Sequence, residues 1–205
     1  MEKNWQAWSS WALCNNPAEI LKNKYANSEL KAYDEFSYLE ETDQNPHWHP
    51  EGNVWLHTLY VVEAASDISR REKLDQDQTI VLVLAALCHD LGKPDTTKVE
   101  EGRIRSPGHA QIGAKISERF LESIACPELI RLKVVSLVKE HLVYSSFQTV
   151  TDRALRRLVN RMKPASFDEL MLLVEADHSG RPPLPKKLPD VMLQIKARLE
   201  ALDLD

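Results

Sequence analysis

The chain has 205 residues and a formal net charge of −5 from 26 basic and 31 acidic side chains, which suits one sizeable domain and disfavours nonspecific binding to polyanions. Its 6 Gly argue against a turn-dense β-sandwich, a collagenous chain or a Gly-rich linker, and favour a mostly helical globule. The 3 Cys, at positions 14, 88 and 126, exclude a disulfide scaffold and any Cys-x-x-Cys pair, and the longest apolar run, Ile80 to Cys88, falls far short of the roughly 20 residues that cross a bilayer.

The opening Met-Glu-Lys-Asn-Trp carries no apolar stretch of a secretory signal, so a cytoplasmic location without membrane contact is expected. Trp5, Trp8 and Trp11 recur every third residue and read as a helix packed on the body rather than a nucleic-acid stacking face. Pro17 starts a predicted helix to about residue 33, with Ile20, Leu21, Tyr25, Leu30 and Tyr33 at helical spacing. Residues 34–52 read as a loop, because Asn45-Pro46 and His49-Pro50 block helix continuation. His47 and His49 in it read as a packed turn or a lid. Asn53 then caps a helix to about residue 70, in which Leu56, Leu59, Val62, Ala65 and Ile68 form the inward stripe and His57 sits beside it.

Asp77 is the expected cap of the next helix, whose run from Ile80 to Leu87 is apolar on every side, as in a buried central helix. It ends at His89-Asp90-Leu91-Gly92, with Gly92 suited to the residue just past the helix. Two short β-prone pieces around Gly102 predict a small hairpin or ordered loop. A helix over about 109–124 turns Ile112, Ile116, Phe120, Leu121 and Ile124 inward, and Pro127 opens another through Leu142. Thr151 caps a helix to about Met162, and Ser166 with Glu169 forms a capping box for one to about His178, stopped by Gly180. A stiff Arg181-Pro182-Pro183-Leu184-Pro185 stretch leads to a last amphipathic helix bearing Val191, Ile195, Leu199 and Leu202. The expectation is one all-α domain over 1–205, with a helical extension at 1–44, a metal-site core at 45–182 and a C-terminal loop and helix at 183–205.

Seven His with so few Cys make any metal site one of nitrogen and oxygen donors. Asp90 ends the most apolar helix, where an unpaired carboxylate is costly to bury and a cation offsets that cost. Neighbouring His89 and Asp90 point about 100° apart on a regular helix, so they converge on one ion only where the helix end distorts. His57 reaches the same place if its helix packs antiparallel to the next, and Asp177 from a helix much later. Such a donor set suits Mg, Mn, Fe, Co, Ni or Zn and leaves positions open to water and substrate, which points to catalysis. His178, beside Asp177, reads as a surface histidine or one that touches a ligand, and Cys88 as a buried inert thiol.

The order His57, His89-Asp90, Asp177 resembles the ligand pattern of the HD-domain metal-dependent phosphohydrolases. More narrowly, Trp48-His49-Pro50-Glu51, Leu56-His57-Thr58-Leu59, Leu87-Cys88-His89-Asp90-Leu91-Gly92-Lys93, Gly108-His109 and Glu175-Ala176-Asp177 look like the C-terminal HD domain of bacterial tRNA nucleotidyltransferases. The resemblance spans roughly 45–182. No nucleotidyltransferase head is recognisable upstream, so a stand-alone HD domain without nucleotide-adding activity is expected. The resemblance implies a helical HD bundle with one or two divalent metal ions, the second held by His109 and His141 with Asp90 bridging. It implies hydrolysis of a phosphomonoester or phosphodiester, of a nucleotide or nucleic-acid end, by attack of metal-bound hydroxide. Lys93, three residues past Asp90, is then placed to neutralise a phosphate oxygen beside the catalytic Asp90, and Arg105 and Arg181 are further candidates for binding substrate phosphate. The alternatives are a 2′,3′-cyclic phosphodiesterase and a non-catalytic RNA-binding or regulatory HD module; oligomeric state is left open.

Overall fold

The computed structural model describes residues 4–146 and 151–204. Asn4 caps α1 (Trp5–Ala12) by accepting from the Ala7 N–H at 3.0 Å, and Trp8 and Trp11 are buried on the body, as expected of a packing helix. Pro17 opens α2 (Pro17–Ala26), which is shorter than its periodicity predicts. Ser28 adopts a left-handed φ of 62°, and the chain continues as two 3₁₀ turns, Glu29–Ala32 and Asp34–Phe36. The breaking turn still buries Leu30, so spacing alone did not reveal it.

Asn53 caps α3 (Val54–Arg71) as expected, accepting from the Leu56 N–H at 2.9 Å. The buried face differs from the expected stripe. Val54, Trp55, His57, Thr58, Val61, Val62, Ala65 and Ile68 are inside, whereas Leu56 is 41% exposed. The helix is rotated so that His57 faces the interior. Helix α4 (Gln76–Cys88) begins two residues earlier than expected because Asp75, not Asp77, forms the cap, with a reciprocal box to Gln78. From Ile80 to Cys88 every residue is buried, and α4 packs among α3, α7 (Glu128–Glu140) and α10 (Phe167–Ser179).

After α4 the chain turns through His89 to Gly92 into the short α5 (Lys93–Thr96). Gly92 has φ −84°, so it is not the left-handed terminator anticipated. Its lack of a side chain matters for contact instead. An added Cβ would lie 2.2 Å from the His109 carbonyl oxygen and 2.5 Å from the Gly113 N–H nitrogen. Gly92→Ala is therefore expected to cost at least ~1–3 kcal/mol, as overpacking typically does, measured as a lowered urea midpoint with an unchanged slope.

The expected hairpin is present. Strands β1 (Lys98–Glu100) and β2 (Arg103–Arg105) pair antiparallel with Lys98 opposite Arg105, across a turn whose Glu101 and Gly102 both have positive φ. Helix α6 (His109–Ser123) packs on α7, burying Ile116, Phe120 and Leu121. Helix α7 stops at Glu140, two residues short of the expected Leu142, and the one-turn α8 (Val143–Ser146) follows. Thr151 caps α9 (Asp152–Met162), Ser166 and Glu169 form the capping box of α10, and α11 (Asp190–Ala201) buries Met192, Ile195 and Leu199. One contiguous apolar cluster runs from Trp8 to Leu199. Among the described residues no helix is long and apolar enough to cross a membrane.

Candidate metal centre

Antiparallel packing of α3 on α4 brings the first turn of α3, with His57, over the end of α4, with His89 and Asp90. The end of α7 adds His141, the end of α10 adds Asp177, and the start of α6 adds His109. All six side chains are buried. Three helix C-termini, those of α4, α7 and α10, carry partial negative charge and meet here with two carboxylates, a field that favours a cation.

The ring nitrogens are sorted by their partners. His89 Nδ1–H donates to the Ala86 carbonyl at 2.8 Å, His141 Nδ1–H to Val138 at 2.6 Å and His109 Nδ1–H to Ser106 at 2.7 Å. In the first two, the histidine beyond a helix satisfies a carbonyl that the helix end leaves open. His57 Nδ1–H donates to Glu51 Oε1 at 2.7 Å, with the Gly180 carbonyl at 3.3 Å. Each ring is thereby left with Nε2 facing inward as a lone-pair donor. The rings form a chain, with centroids 5.3 Å apart for His57 and His89, 5.4 Å for His89 and His141, and 5.3 Å for His109 and His141.

Asp90 lies between the pairs. Its Oδ2 is 3.2 Å from His89 Nε2 and 3.7 Å from His57 Nε2, and its Oδ1 is 3.3 Å from His109 Nε2. The donor atoms of His57, His89 and Asp90 lie within 4.8 Å of one another, as do those of Asp90, His109 and His141. Asp90 is common to both groups, the arrangement a carboxylate bridging two ions needs. Asp177 stands at the edge: its Oδ1 is 3.2 Å from His57 Nε2 and accepts from Arg181 Nη2 at 2.5 Å. Arg181 thus supplies a positive charge beside this carboxylate at a helix C-terminus, and that location by itself no longer demands a metal.

The electrostatics fit a cation. Burial would raise the Asp90 and Asp177 carboxyls, but His89, Lys93 and His109 around Asp90, and Arg181 and His57 around Asp177, hold both well below the usual range. Burial pushes His141 down to about 3, helped by His109 and His89, so its imidazole is neutral and ready to ligate. His57 is raised: burial lowers it, but Asp177 and Glu51 more than offset that, and a position that favours a proton also favours a metal ion. Asp90 Oδ2 is buried, ion-paired with the Lys93 ammonium at 2.7 Å and faced by His89 and His57 Nε2, without a hydrogen bond of regular geometry.

The HD-domain family matches residues 54–179, the stretch that carries these ligand-like side chains. The chain belongs to the HD-domain family. That placement, in a superfamily of metal-dependent phosphohydrolases, agrees with the motif resemblance and with the helical bundle. The chain is 29% identical over 187 residues to the multifunctional CCA protein of Cupriavidus metallidurans, covering 88% of this chain and 42% of that protein. It is 25% identical over 185 residues to the multifunctional CCA proteins of Vibrio vulnificus and Vibrio cholerae, covering 88% of this chain and 43% of each. The chain spans about two fifths of the length of these curated relatives.

Around the HD centre the structure also places groups to which the sequence assigned no role. Glu51 is fully buried at its side chain, and Oε1 accepts from both His57 Nδ1 and His49 Nδ1, at 2.7 and 2.9 Å. Burial would raise its carboxyl, but the two imidazoles bring it down to about 2. His49, Glu51 and His57 also have donors within 4.8 Å of one another; here both N–H groups go to Oε1, while Oε2 is buried without a hydrogen-bond partner. The readable signal was a carboxylate in a Pro-flanked turn shortly before His57. Glu51→Gln is expected to weaken divalent-metal affinity by ~10–100-fold, the effect of losing a carboxylate behind a ligand histidine, as read by calorimetric titration of chelator-treated protein.

A cleft of about 420 Å³ opens over Asp90, His109, His141 and Asp177. Lys93 Nζ lies on its wall, donating to Gln44 Oε1 at 2.5 Å, and Arg105 lies at its mouth on β2. Arg181 lines the cleft as well, its guanidinium turned onto Asp177. His178 is half-buried and edge-on to Tyr144, at 5.1 Å between centroids. His49 is largely covered and paired with Glu51, which makes it part of a packed turn, while His47 is exposed. The Cys88 thiol is buried and its pKa raised by that burial, as expected of an inert core cysteine.

Proposed function

We propose that the chain hydrolyses a phosphomonoester or phosphodiester of a nucleotide or a nucleic-acid end, using two divalent ions held by His57, His89, Asp90 and Asp177 and by Asp90, His109 and His141. The observation that carries this reading is Asp90, set between two histidine pairs whose Nε2 atoms face it, at the floor of a cleft with basic walls. Bound there, divalent ions supply an acidified water and neutralise charge on phosphate.

The chain's own side chains do the rest. Carbonyl contacts and Glu51 fix the histidine tautomers, so the ligand geometry is built before substrate arrives. Lys93, tethered by Gln44, presents an ammonium beside Asp90 where a nonbridging phosphate oxygen gains charge. Arg181 holds Asp177 in place, a positioning role beside its place on the cleft wall. Arg105 meets the anionic substrate at the mouth.

The test is hydrolysis of nucleoside mono-, di- and triphosphates and 2′,3′-cyclic phosphates, each with Mg, Mn, Fe, Co, Ni or Zn. Turnover of at least one ester is expected, and Lys93→Ala should lower its kcat by ~10²–10³-fold, the usual effect of removing one preorganised charge donor. No turnover with any metal, together with tight RNA binding, would replace this reading with a non-catalytic RNA-binding module. Hydrolysis of only the cyclic esters would narrow it to a cyclic phosphodiesterase.

A further inference from the structure

The cleft over Asp90 does not end at Arg105. It continues into an outer groove between the 45–48 turn and the β1–β2 hairpin, lined by Asn45, Pro46, His47, Trp48 and residues 102–105. Asn45, Trp48, Ile104 and Arg105 line both compartments, so the groove is continuous with the metal cleft. Trp48 is 59% exposed there, in contrast to Trp8, Trp11 and Trp55, which are buried, and Trp5, which is partly buried against the core. Its ring meets His47 edge-on at 4.6 Å. On the facing strand Arg103 and Arg105 are exposed; Lys98, opposite Arg105, is paired with Glu100 at 2.7 Å.

An exposed indole at a cleft mouth opposite exposed guanidinium groups matches the alternation of flat base and anionic phosphate along a single strand. We propose that this groove is a second substrate subsite, in which the base next to the reacting end stacks on Trp48 and the following phosphate pairs with Arg105 and Arg103. The inference rests on the hydrolytic reading above and deepens it. The preferred substrate is then a short single-stranded oligonucleotide end rather than a mononucleotide.

Two probes, a ribonucleoside 3′-phosphate and a trinucleotide ending in the same 3′-phosphate, distinguish the outcomes in the metal-loaded protein. Equilibrium binding is measured by competition with a fluorescent trinucleotide, and hydrolysis by phosphate release, with p-nitrophenyl phosphate as an ester too small to reach the groove. Wild type should bind the trinucleotide about tenfold or more tightly than the mononucleotide, the scale of one base stacked on an aromatic ring. Trp48→Ala should erase that preference, Trp48→Phe should keep most of it, and Arg103→Ala should weaken only the trinucleotide and reduce its salt dependence. None of these variants should change p-nitrophenyl phosphate turnover. Equal affinity for the two probes in wild type, or an equal loss for both in Trp48→Ala, would overturn the subsite. Preferential trinucleotide binding without hydrolysis of any ester would support the subsite and overturn the hydrolytic reading instead.

Discussion

Asp90→Asn should abolish ester hydrolysis and strip metal from the protein while leaving the helical bundle assembled. The side chain keeps its shape, so the packing of α4 against its neighbours changes little, but the charge shared between the two histidine pairs is lost. Loss of an outer partner such as Glu51 typically costs ~10–100-fold in metal affinity, and loss of a central bridging ligand should cost more, with kcat falling at least ~10³-fold. Metal per chain by elemental analysis, helicity by circular dichroism and initial rates together check this. Retained turnover at full helicity would refute the assignment of Asp90. A collapse of helicity would show that the carboxylate is mainly structural; Asp90 is packed by His89, Lys93 and His109, and removing one member of a buried charge cluster can cost ~3–5 kcal/mol.

The second large effect concerns stoichiometry. His109 Nε2 faces Oδ1 of Asp90 with the His141 ring beside it, while His57 and His89 face Oδ2. Wild type is therefore expected to hold two ions per chain, and the double variant His109→Ala with His141→Ala one. Its kcat should fall by at least ~10³-fold, because two ions that clamp attacking and leaving oxygens act as a unit and the loss of either removes most of the acceleration. One ion per chain in wild type, unchanged in the double variant, would falsify the two-ion arrangement and return the centre to His57, His89, Asp90 and Asp177. His141 lies fully inside the bundle, so each single variant is measured for melting temperature as well. A variant that melts as wild type and still loses one ion separates ligation from packing.

Much of the bundle was legible along the chain. The caps at Asn53, Thr151 and Ser166 and the apolar run of α4 are local signals, because a cap or a buried helix writes its requirement into a few adjacent residues. The break at Ser28 was not legible, since the turn and the helix bury Leu30 alike. Nor was the rotation of α3, which exposes Leu56 and buries His57. A stripe of apolar residues two helix-positions wide can be read with either edge inward, and only the partners of α3, namely α2, α4 and α10, choose between them.

The same division runs through the site. The order of His57, His89-Asp90 and Asp177, with Lys93 close behind, was enough to mark a candidate nitrogen and oxygen centre, because the donor atoms on offer are a property of residue types. What the tertiary structure decided was orientation. Which nitrogen of each imidazole faces inward depends on carbonyls at the ends of α4 and α7 and on Glu51, and Asp177 meets Arg181 as well as His57. Trp48 and Arg105 lie far apart in the chain and line one groove only after the hairpin folds back toward the 45–48 turn. Spacing along a chain constrains contacts within one element. Contacts between elements follow from how buried faces pack, and that is where the tautomers, the shared carboxylate and the groove were set.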